Sequence, residues 1–324
     1  MNSIPDVDPS LKSTDPATLV GRVCFFLWRQ CPGIVLRGGC FVSCEGGYPG
    51  LANYSENRKN LQPYRFDRAY QGVNKMSEHV VPNQFLEGEF VARVDECGPD
   101  GRVRISSLVN YLQEMAWRHA EALGYGRQAL LTTNRAWVLT RMRLVLSRAL
   151  GPGETLQVRT WPSGRDKYLA YRDFVAWSGE GEEVCRCTTA WAHMDVTKRK
   201  MVSLHETAPF PKDPERSLTF TTRTIPKVRE GTHSVAIISR QSDLDLNGHV
   251  NNVHFVEWGM ESVPRSWHET HFFCEMDITF RHECLSNEDI TSSCVPDEAK
   301  SSVLHVVKRD IDGVELARMH SIWR

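Results

Sequence analysis

Residues 108–116 read Leu-Val-Asn-Tyr-Leu-Gln-Glu-Met-Ala, and this stretch decides that the fold contains a long amphipathic helix. Side chains of the kind that pack into cores recur here at intervals of three and four residues: Leu108, Leu112, Met115 and His119. That spacing puts them on one face of an α-helix. Ser106 or Ser107 is placed to cap its start, and Gly124 to end it. We therefore predict a helix to about residue 123 with one buried stripe.

On both sides of this helix the pattern changes to β-strands separated by turns rich in Gly, Pro and Asp. Strands are predicted at 85–96, 137–147, 155–161, 168–177, 184–195 and 200–204. The same plan returns later, with a strand at 233–240, a helix at 250–262 and further strands at 273–282, 289–295, 301–309 and 314–323. A long helix followed by antiparallel strands, occurring twice, predicts an α+β fold made of two similar units.

Composition and pattern divide the chain into four segments. Residues 1–75 lack the period of a helix or a strand, so they are interpreted as a targeting extension, a disordered tail, or sequence upstream of a true start at Met76. The abrupt onset of patterned sequence after Met76 favours the last interpretation. Residues 76–204 are predicted to form the first unit and residues 231–324 the second, joined by a Pro- and Thr-rich linker at 205–230.

The overall composition excludes several classes of protein. With 41% hydrophobic residues, 24% charged residues and a formal net charge of −1, the chain is neither disordered nor a typical nucleic-acid binder. It has no run of about 18 apolar residues that could span a membrane. The ten cysteines lack paired CxxC spacing and an export signal, so we expect reduced thiols. No cluster has metal-ligand spacing, and we expect neither a metal nor a cofactor.

The segment 242–252, Ser-Asp-Leu-Asp-Leu-Asn-Gly-His-Val-Asn-Asn, carries the strongest chemical pattern. If it is extended, the polar side chains at alternate positions point the same way: Asp243, Asp245, Asn247 and His249. A helix begins near Val250, and its first N–H groups suit a carbonyl oxygen that becomes negative. Turn formation and helix capping are the ordinary interpretation of such residues, but four aligned polar groups ending in His also suit a catalytic site.

Together these segments resemble the plant-type and bacterial thioesterases that act on acyl groups of acyl carrier protein (ACP), whose fold is a tandem pair of hotdog units. The resemblance extends over residues 83–324. It rests on the following segments: 108–116, Trp137-Val-Leu-Thr-Arg-Met-Arg143, the Trp191 strand with Asp195, 243–252 leading into Glu257-Trp258 and Glu261, Arg281-His-Glu-Cys284, and Trp323-Arg324. It implies a double hotdog of the α+β class that hydrolyses fatty acyl-ACP in fatty acid biosynthesis.

By this resemblance the catalytic positions fall on Asp245, Asn247, His249 and Glu283, with Cys284 beside them. In one mechanism, His249 and Glu283 activate a water while Asn247 polarises the thioester carbonyl, and Asp245 orients Asn247 or the imidazole. In the other, Cys284 attacks the thioester with His249 as its base. If 276–284 is a regular strand, Glu283 and Cys284 point to opposite faces, so only one reaches the site. We favour Glu283, with Cys284 as a structural thiol.

Other candidates follow from the same resemblance or from ordinary packing. Four residues are candidates to line an acyl-chain pocket in the first unit, although each could be plain core: Met115, Trp117, Trp137 and Met142. Two basic groups are candidates to contact the acidic ACP: Lys198-Arg199-Lys200, and Arg223 with Lys227 and Arg229. His119 is expected in the core. His254 and Glu257 are expected to be exposed to solvent on the second helix, where Asn251 and Asn252 cap the start.

Two other functions fit parts of the pattern. A hotdog hydrolase of acyl-CoA is the nearest enzymatic alternative, and a hotdog domain that binds acyl thioesters without turnover is the non-enzymatic one. Two units in one chain and the Glu283-Cys284 element favour the ACP enzymes. We expect a cytoplasmic protein, or one of the plastid stroma if residues 1–75 are a transit peptide, and a homodimer is compatible with the sequence.

Overall fold

The computed structural model describes residues 85–204, 216–220 and 224–324, all within one compact unit. The expectations for residues 1–75 lie outside these described residues, and the predicted linker lies only partly within them. Within the described ranges, no helix combines the length and the apolar character needed to cross a membrane.

The first half of the described chain contains one long helix, one short helix and six strands. Strand β1 (Leu86–Val91) precedes helix α1 (Ile105–Ala122) and helix α2 (Arg127–Thr133). The remaining strands are β2 (Arg135–Leu146), β3 (Thr155–Arg165), β4 (Leu169–Ser178), β5 (Glu183–Asp195) and β6 (Lys200–Met201). The predicted stripe of α1 is buried, and Gly124 leaves the helix with φ of +75°. The serine cap is wrong, because the position before the helix is Arg104 and makes no side-chain cap.

The second half repeats this plan with a shorter helix. Strand β7 (His233–Ile238) precedes α3 (Asn252–Glu261) and α4 (Arg265–Thr270). The strands that follow are β8 (Phe273–Phe280), β9 (Asp289–Asp297), β10 (Ser302–Arg309) and β11 (Glu315–Trp323). The short helices α2 and α4 were not predicted, since neither has the length at which a 3.6-residue period becomes recognisable.

All the strands belong to one sheet, with the order β1-β3-β4-β5-β2-β8-β11-β10-β9-β7 and β6 paired to β5. The two predicted units are therefore halves of one continuous sheet rather than two separate sheets. They meet where β2 pairs antiparallel with β8, Arg141 lying opposite Thr279. The prediction of an α+β double hotdog, with a helix packed on the sheet of each half, is confirmed.

Two arginine–carboxylate pairs secure this junction on the face of the sheet that points away from the helices. The Arg141 guanidinium binds both carboxylate oxygens of Asp277, at 2.8 and 2.7 Å, and Arg143 donates to Glu275 at 2.8 Å. Asp277 is only 2% exposed. A bidentate pair of this kind fixes geometry strongly, and breaking a buried pair leaves an uncompensated charge. These two arginines therefore fix the register between the two halves.

Helix α3, which carries the polar segment at its start, is tied to the sheet by a buried histidine. His305 donates from Nδ1 to the Gly259 carbonyl at 3.0 Å and accepts at Nε2 from the Ser321 hydroxyl at 2.8 Å. A Cβ at Gly259 would come within 2.5 Å of the Met319 methyl, so glycine allows the close approach. Burial lowers the pKa of His305 to about 3, so the ring is neutral at pH 7 and carries its proton on Nδ1, which donates to Gly259.

The burial of His305 predicts that the protein becomes less stable as the pH falls. An unfolded histidine has a pKa of about 6.5, so between that value and about 3 the unfolded state takes up a proton that the folded state does not, and stability falls as the pH falls. His305 should contribute a slope of about 1.4 kcal/mol per pH unit in this range. We expect His305→Asn to be less stable at pH 7 but to show a shallower decline, measured by urea unfolding from pH 7 to 4.5. The exposed His233→Asn is the control, and equal slopes in all three proteins would contradict the assignment.

Candidate active site

The polar segment forms a tight turn, and not the extended run on which the alternation argument depended. Leu244 and Val250 pair as an isolated antiparallel bridge. Between them, the Asp245 N–H donates to the His249 carbonyl at 2.8 Å and the Gly248 N–H to the Asp245 carbonyl at 3.0 Å. Gly248 has φ of +79°, a conformation that glycine adopts without strain. The side chains converge because the backbone reverses, and the argument from alternation was wrong.

The Asp245 carboxylate organises this turn. Its Oδ1 accepts from the Asn247 N–H at 2.7 Å and lies 3.4 Å from the His249 N–H. Its Oδ2 accepts from the Asn247 side-chain amide at 3.2 Å. Asp245 could have oriented either the Asn247 side chain or the His249 imidazole. In the structure it contacts the Asn247 amide and only the backbone of His249. One hydrogen of the Asn247 amide remains for another acceptor.

His249 and Glu283 lie side by side at the mouth of the turn. The distance from His249 Nε2 to Glu283 Oε2 is 3.3 Å, and both side chains are a little over 40% exposed. The other carboxylate oxygen of Glu283 lies 3.8 Å from Arg199 Nη1. A carboxylate beside an imidazole, both open to solvent, can take a proton from a water molecule and pass it on.

Cys284 occupies a different environment from its neighbour. The strand β8 ends at Phe280, so the regular-strand argument does not apply at these positions, yet Glu283 points outward and Cys284 is fully buried in the core. Burial and the nearby Glu288 carboxylate raise the pKa of the Cys284 thiol to about 12. A thiol acts as a nucleophile only as the thiolate. The Cys284 carbonyl accepts from the Val250 N–H at 2.9 Å, which fastens the turn to this segment.

The first half contains a second copy of this turn. Cys97 and Val103 pair as Leu244 and Val250 do, the Gly98 N–H donates to the Arg102 carbonyl at 2.7 Å, and Gly101 has φ of +72°. Positions in the two turns correspond with a constant offset, so Asp245, Asn247 and His249 match Gly98, Asp100 and Arg102. The Val103 N–H donates to the Leu150 carbonyl at 2.8 Å, which places Leu150 at the position of Cys284. An apolar residue thus fills the matching place, as expected for a structural thiol.

The start of α3 is capped by its own chain. The Asn251 side-chain oxygen accepts from the Val253 N–H at 3.1 Å. The backbone carbonyl of Asn251 accepts from the His254 N–H at 3.0 Å. The same side chain accepts from Gln113 of α1 at 3.3 Å. The prediction that Asn251 caps this helix is confirmed. Because these amides are already bonded, the helix terminus offers less to a substrate carbonyl than we expected.

The expectation that His254 and Glu257 face solvent was wrong. His254 Nδ1 lies 2.7 Å from Glu257 Oε2, and both are partly buried between α3 and α1. The hydrogen bond to Glu257 raises the pKa of His254, and this bond together with one from the buried Ser106 lowers the pKa of Glu257. With the Gln113–Asn251 contact, the Glu257–Ser106 contact shows that the two helices run antiparallel.

The four predicted pocket residues lie in different surroundings. Met115 and Met142 are fully buried in the main core. Trp137 is partly buried and stacks on His193 at a centroid distance of 4.6 Å. Trp117 is 38% exposed and does not belong to that core, so it is a poor candidate to line an interior pocket.

Arg199 is the neighbour of the site that sequence reasoning did not assign to it. It follows β5 in a turn closed by the Lys198 N–H, which donates to Asp195 at 2.9 Å, and it has φ of +49°. The sequence showed only a basic cluster, and nothing local connects residue 199 with residue 283. Within the described ranges, no group of three or more His, Cys, Asp or Glu side chains is arranged to hold a metal ion.

Comparison with known proteins gives two family matches that follow one another along the chain. Residues 83–208 match the acyl-ACP thioesterase N-terminal domain, and residues 227–324 match the acyl-ACP thioesterase C-terminal domain.

Among curated proteins, the chain is similar to the chloroplastic oleoyl-ACP thioesterase 1 of Arabidopsis thaliana, with 25% identity over 73% of this chain and 75% of that protein. It is also similar to the chloroplastic palmitoyl-ACP thioesterase of Gossypium hirsutum, with 29% identity over 72% of this chain and 62% of that protein. Among solved structures, an acyl-ACP thioesterase of Bacteroides thetaiotaomicron matches with a TM-score of 0.67 and 22% identity, covering 74% of this chain and 98% of that one. The 12:0-ACP thioesterase of Umbellularia californica matches with a TM-score of 0.67 and 23% identity, covering 74% and 94%.

The surroundings of Cys284 predict how its thiol reacts. In the folded protein at pH 8 we expect iodoacetamide to label the partly exposed Cys97 and to leave Cys284 unlabelled, because its thiol is buried and its pKa is about 12. Mass spectrometry of the two peptides measures this. Labelling of both peptides after unfolding in about 8 M urea is the control. Faster labelling of Cys284 than of Cys97 in the folded protein would restore the thiol as a candidate nucleophile.

Proposed function

Because this chain belongs to the acyl-ACP thioesterase family, a family of enzymes, we propose that it hydrolyses fatty acyl-ACP to free fatty acid and the carrier thiol, as part of fatty acid biosynthesis. The observation that carries the proposal is the pairing of His249 and Glu283, 3.3 Å apart and open to solvent beside the Asp245–Asn247 turn. Attack by water on a thioester needs a base and a donor for the carbonyl oxygen, and this arrangement supplies both.

In the proposed reaction, the thioester lies against the turn with its carbonyl oxygen accepting the remaining hydrogen of the Asn247 amide. His249 and Glu283 remove a proton from the attacking water, and His249 then returns a proton to the departing carrier sulfur. Asp245 contributes by holding the Asn247 amide and the turn. The Arg199 guanidinium lies 3.8 Å from the other carboxylate oxygen of Glu283. No covalent acyl-enzyme is formed, and Cys284 serves as a packing residue.

The same geometry favours one of the predicted carrier surfaces. Lys198, Arg199 and Lys200 are exposed and lie in the turn that reaches Glu283. An acidic carrier docked there would bring its prosthetic arm close to His249, and rim charges of this kind act mainly on the rate of association. Of the other predicted basic group, Arg223 lies outside the described residues, while Lys227 and Arg229 are exposed without a described contact to the site. We therefore propose the turn at 198–200 as the carrier contact.

The proposal predicts a distinct pattern of activity. We expect His249→Ala and Glu283→Gln to lower kcat for acyl-ACP by roughly 10²–10⁴-fold, because each removes part of the base. Cys284→Ala should lose less than about tenfold. The measurement is release of free thiol from a panel of acyl-ACPs, with His233→Ala, which changes an exposed histidine on β7, as the matched control. Loss only with Cys284→Ala would overturn the water mechanism.

The same panel run with acyl-CoA tests the alternatives. We expect a Lys198→Glu, Lys200→Glu double variant to raise KM for acyl-ACP several-fold and to leave KM for acyl-CoA unchanged. Faster hydrolysis of acyl-CoA than of acyl-ACP by the unaltered protein would support the CoA enzyme. Binding of acyl-ACP without hydrolysis would support the non-catalytic alternative and contradict the proposal.

For the compartment we propose the cytoplasm, with the plastid stroma as the alternative if residues 1–75 act as a transit peptide. The plant relatives named above are chloroplastic. Fusing residues 1–75 to a fluorescent protein and incubating it with isolated chloroplasts decides between the two, because only a transit peptide leads to import and cleavage.

A further inference from the structure

The interior of the first half contains a buried arginine that has no carboxylate partner among the residues the structure describes. Arg172 of β4 is 9% exposed, and its Nη1 donates to His119 Nδ1 at 2.9 Å and to the Thr160 hydroxyl oxygen at 3.1 Å. Within the described part of the chain it forms no ion pair. Burial alone lowers its pKa to about 10, so it keeps its charge at neutral pH. A buried cation that faces only neutral groups is costly, and such charges are ordinarily paired.

The hydrogen-bonding groups left over in this cluster are all donors. A guanidinium can only donate, so His119 Nδ1 must accept from it, and the proton of the neutral imidazole is on Nε2. Burial lowers the pKa of His119 to about 4, which keeps the ring neutral. Among the described residues, His119 Nε2 is buried and makes no hydrogen bond. Thr160 uses its own hydrogen on the Asp173 carbonyl. A group that completes this cluster must therefore bring an acceptor.

The fold does not require an arginine at this place. Strands β3 and β9 pair in the same way with β1 and β7, starting from Thr155 opposite Val91 and from Asp289 opposite Ile238. Pro162 of β3 lies opposite Arg172, and the matching Pro296 of β9 lies opposite Val303. Val303 is fully buried. The repeat thus fills the position of Arg172 with an apolar side chain.

The cluster also lies toward the end of the molecule that carries the candidate active site. Helices α1 and α3 run antiparallel, with Gln113 bonded to Asn251 just after the catalytic turn. His119 lies six residues beyond Gln113, which is about 9 Å along the helix axis, in the direction of that turn. Arg172 lies opposite Thr189 of the neighbouring strand β5, and the Thr189 hydroxyl donates to the backbone carbonyl of Arg172.

We propose that Arg172 and His119 bind an oxygen atom carried by the acyl chain, so that the preferred substrates are acyl-ACPs whose chain bears a hydroxyl, keto or carboxylate oxygen. The inference rests on the proposed function, because it takes the acyl group as the ligand. The uncompensated charge of Arg172 favours an anionic oxygen, and the Nε2–H of His119 suits any of the three. A saturated chain would leave both donors unpaired, which is the kind of mismatch that gives strong discrimination.

The test compares acyl-ACPs of one chain length that are saturated or carry a hydroxyl at successive positions, a keto oxygen, or a terminal carboxylate. For the unaltered enzyme we expect kcat/KM to be roughly tenfold or more higher for at least one oxygenated chain than for the saturated one. Arg172→Met and His119→Leu should each bring that ratio close to one while saturated chains are still hydrolysed. Arg159→Met changes an exposed arginine of β3 that pairs with Glu87, and it should leave the ratio unchanged.

A second measurement does not depend on turnover or on one variant folding. Calorimetry of the corresponding free acids should show tighter binding of the oxygenated acid to the unaltered protein and to Arg159→Met, and equal binding of both acids to Arg172→Met or His119→Leu. Hydrolysis of all chains without preference, together with equal binding of all acids, would overturn this inference and leave the proposed function standing. Arg172-dependent binding without hydrolysis of any thioester would overturn the proposed function instead.

Discussion

The pairing of β2 with β8, held by Arg141 and Asp277, is the constraint on which the rest of the structure depends. It turns two hotdog halves into one sheet and fixes how they are aligned along the strands. A slip of one residue would move each of these charged side chains to the opposite face. Because the register is set here, the turn after β5 ends beside the segment after β8, and Arg199 of the first half reaches Glu283 of the second. The proposed site is thus completed by both halves, although its catalytic side chains come from one.

Backbone geometry prepares the proposed chemistry before any substrate arrives. The Asp245 carboxylate accepts hydrogen bonds from Asn247, and the Cys284 carbonyl holds the turn at Val250. Groups fixed in this way lose little freedom when a thioester binds, which is the main advantage of a preorganised site. The most reactive side chain of the region by ordinary chemistry, the thiol, is in contrast buried where its pKa is about 12. Burial and not sequence position separates the exposed carboxylate of Glu283 from the buried thiol beside it.

Much of the fold could be predicted because its signals are local. The helical stripe through Leu112 and Met115 and the strand at 137–147 each depend on residues a few positions apart, and both were confirmed. The alternation argument at Asp245 assumed an extended chain and was wrong, because alternating polar residues fit a strand and an Asx-type turn equally well. Glu257, which holds His254, was assigned to solvent because its partner on α1, Ser106, is about 150 residues away in the chain, too far for any periodicity to indicate. The contact of Arg199 with Glu283 was missed for the same reason, since it depends on the pairing of β2 with β8.

The turn that occurs once in each half indicates how the two halves are related. Two turns with the same hydrogen bonds and the same left-handed glycine, Gly101 and Gly248, are what the duplication of one ancestral unit would produce. In the first copy, glycine, aspartate and arginine now stand where the second has Asp245, Asn247 and His249. The first copy keeps the scaffold of the turn without these three side chains. The interiors of the two copies differ as well, since Arg172 of the first stands where the second has Val303.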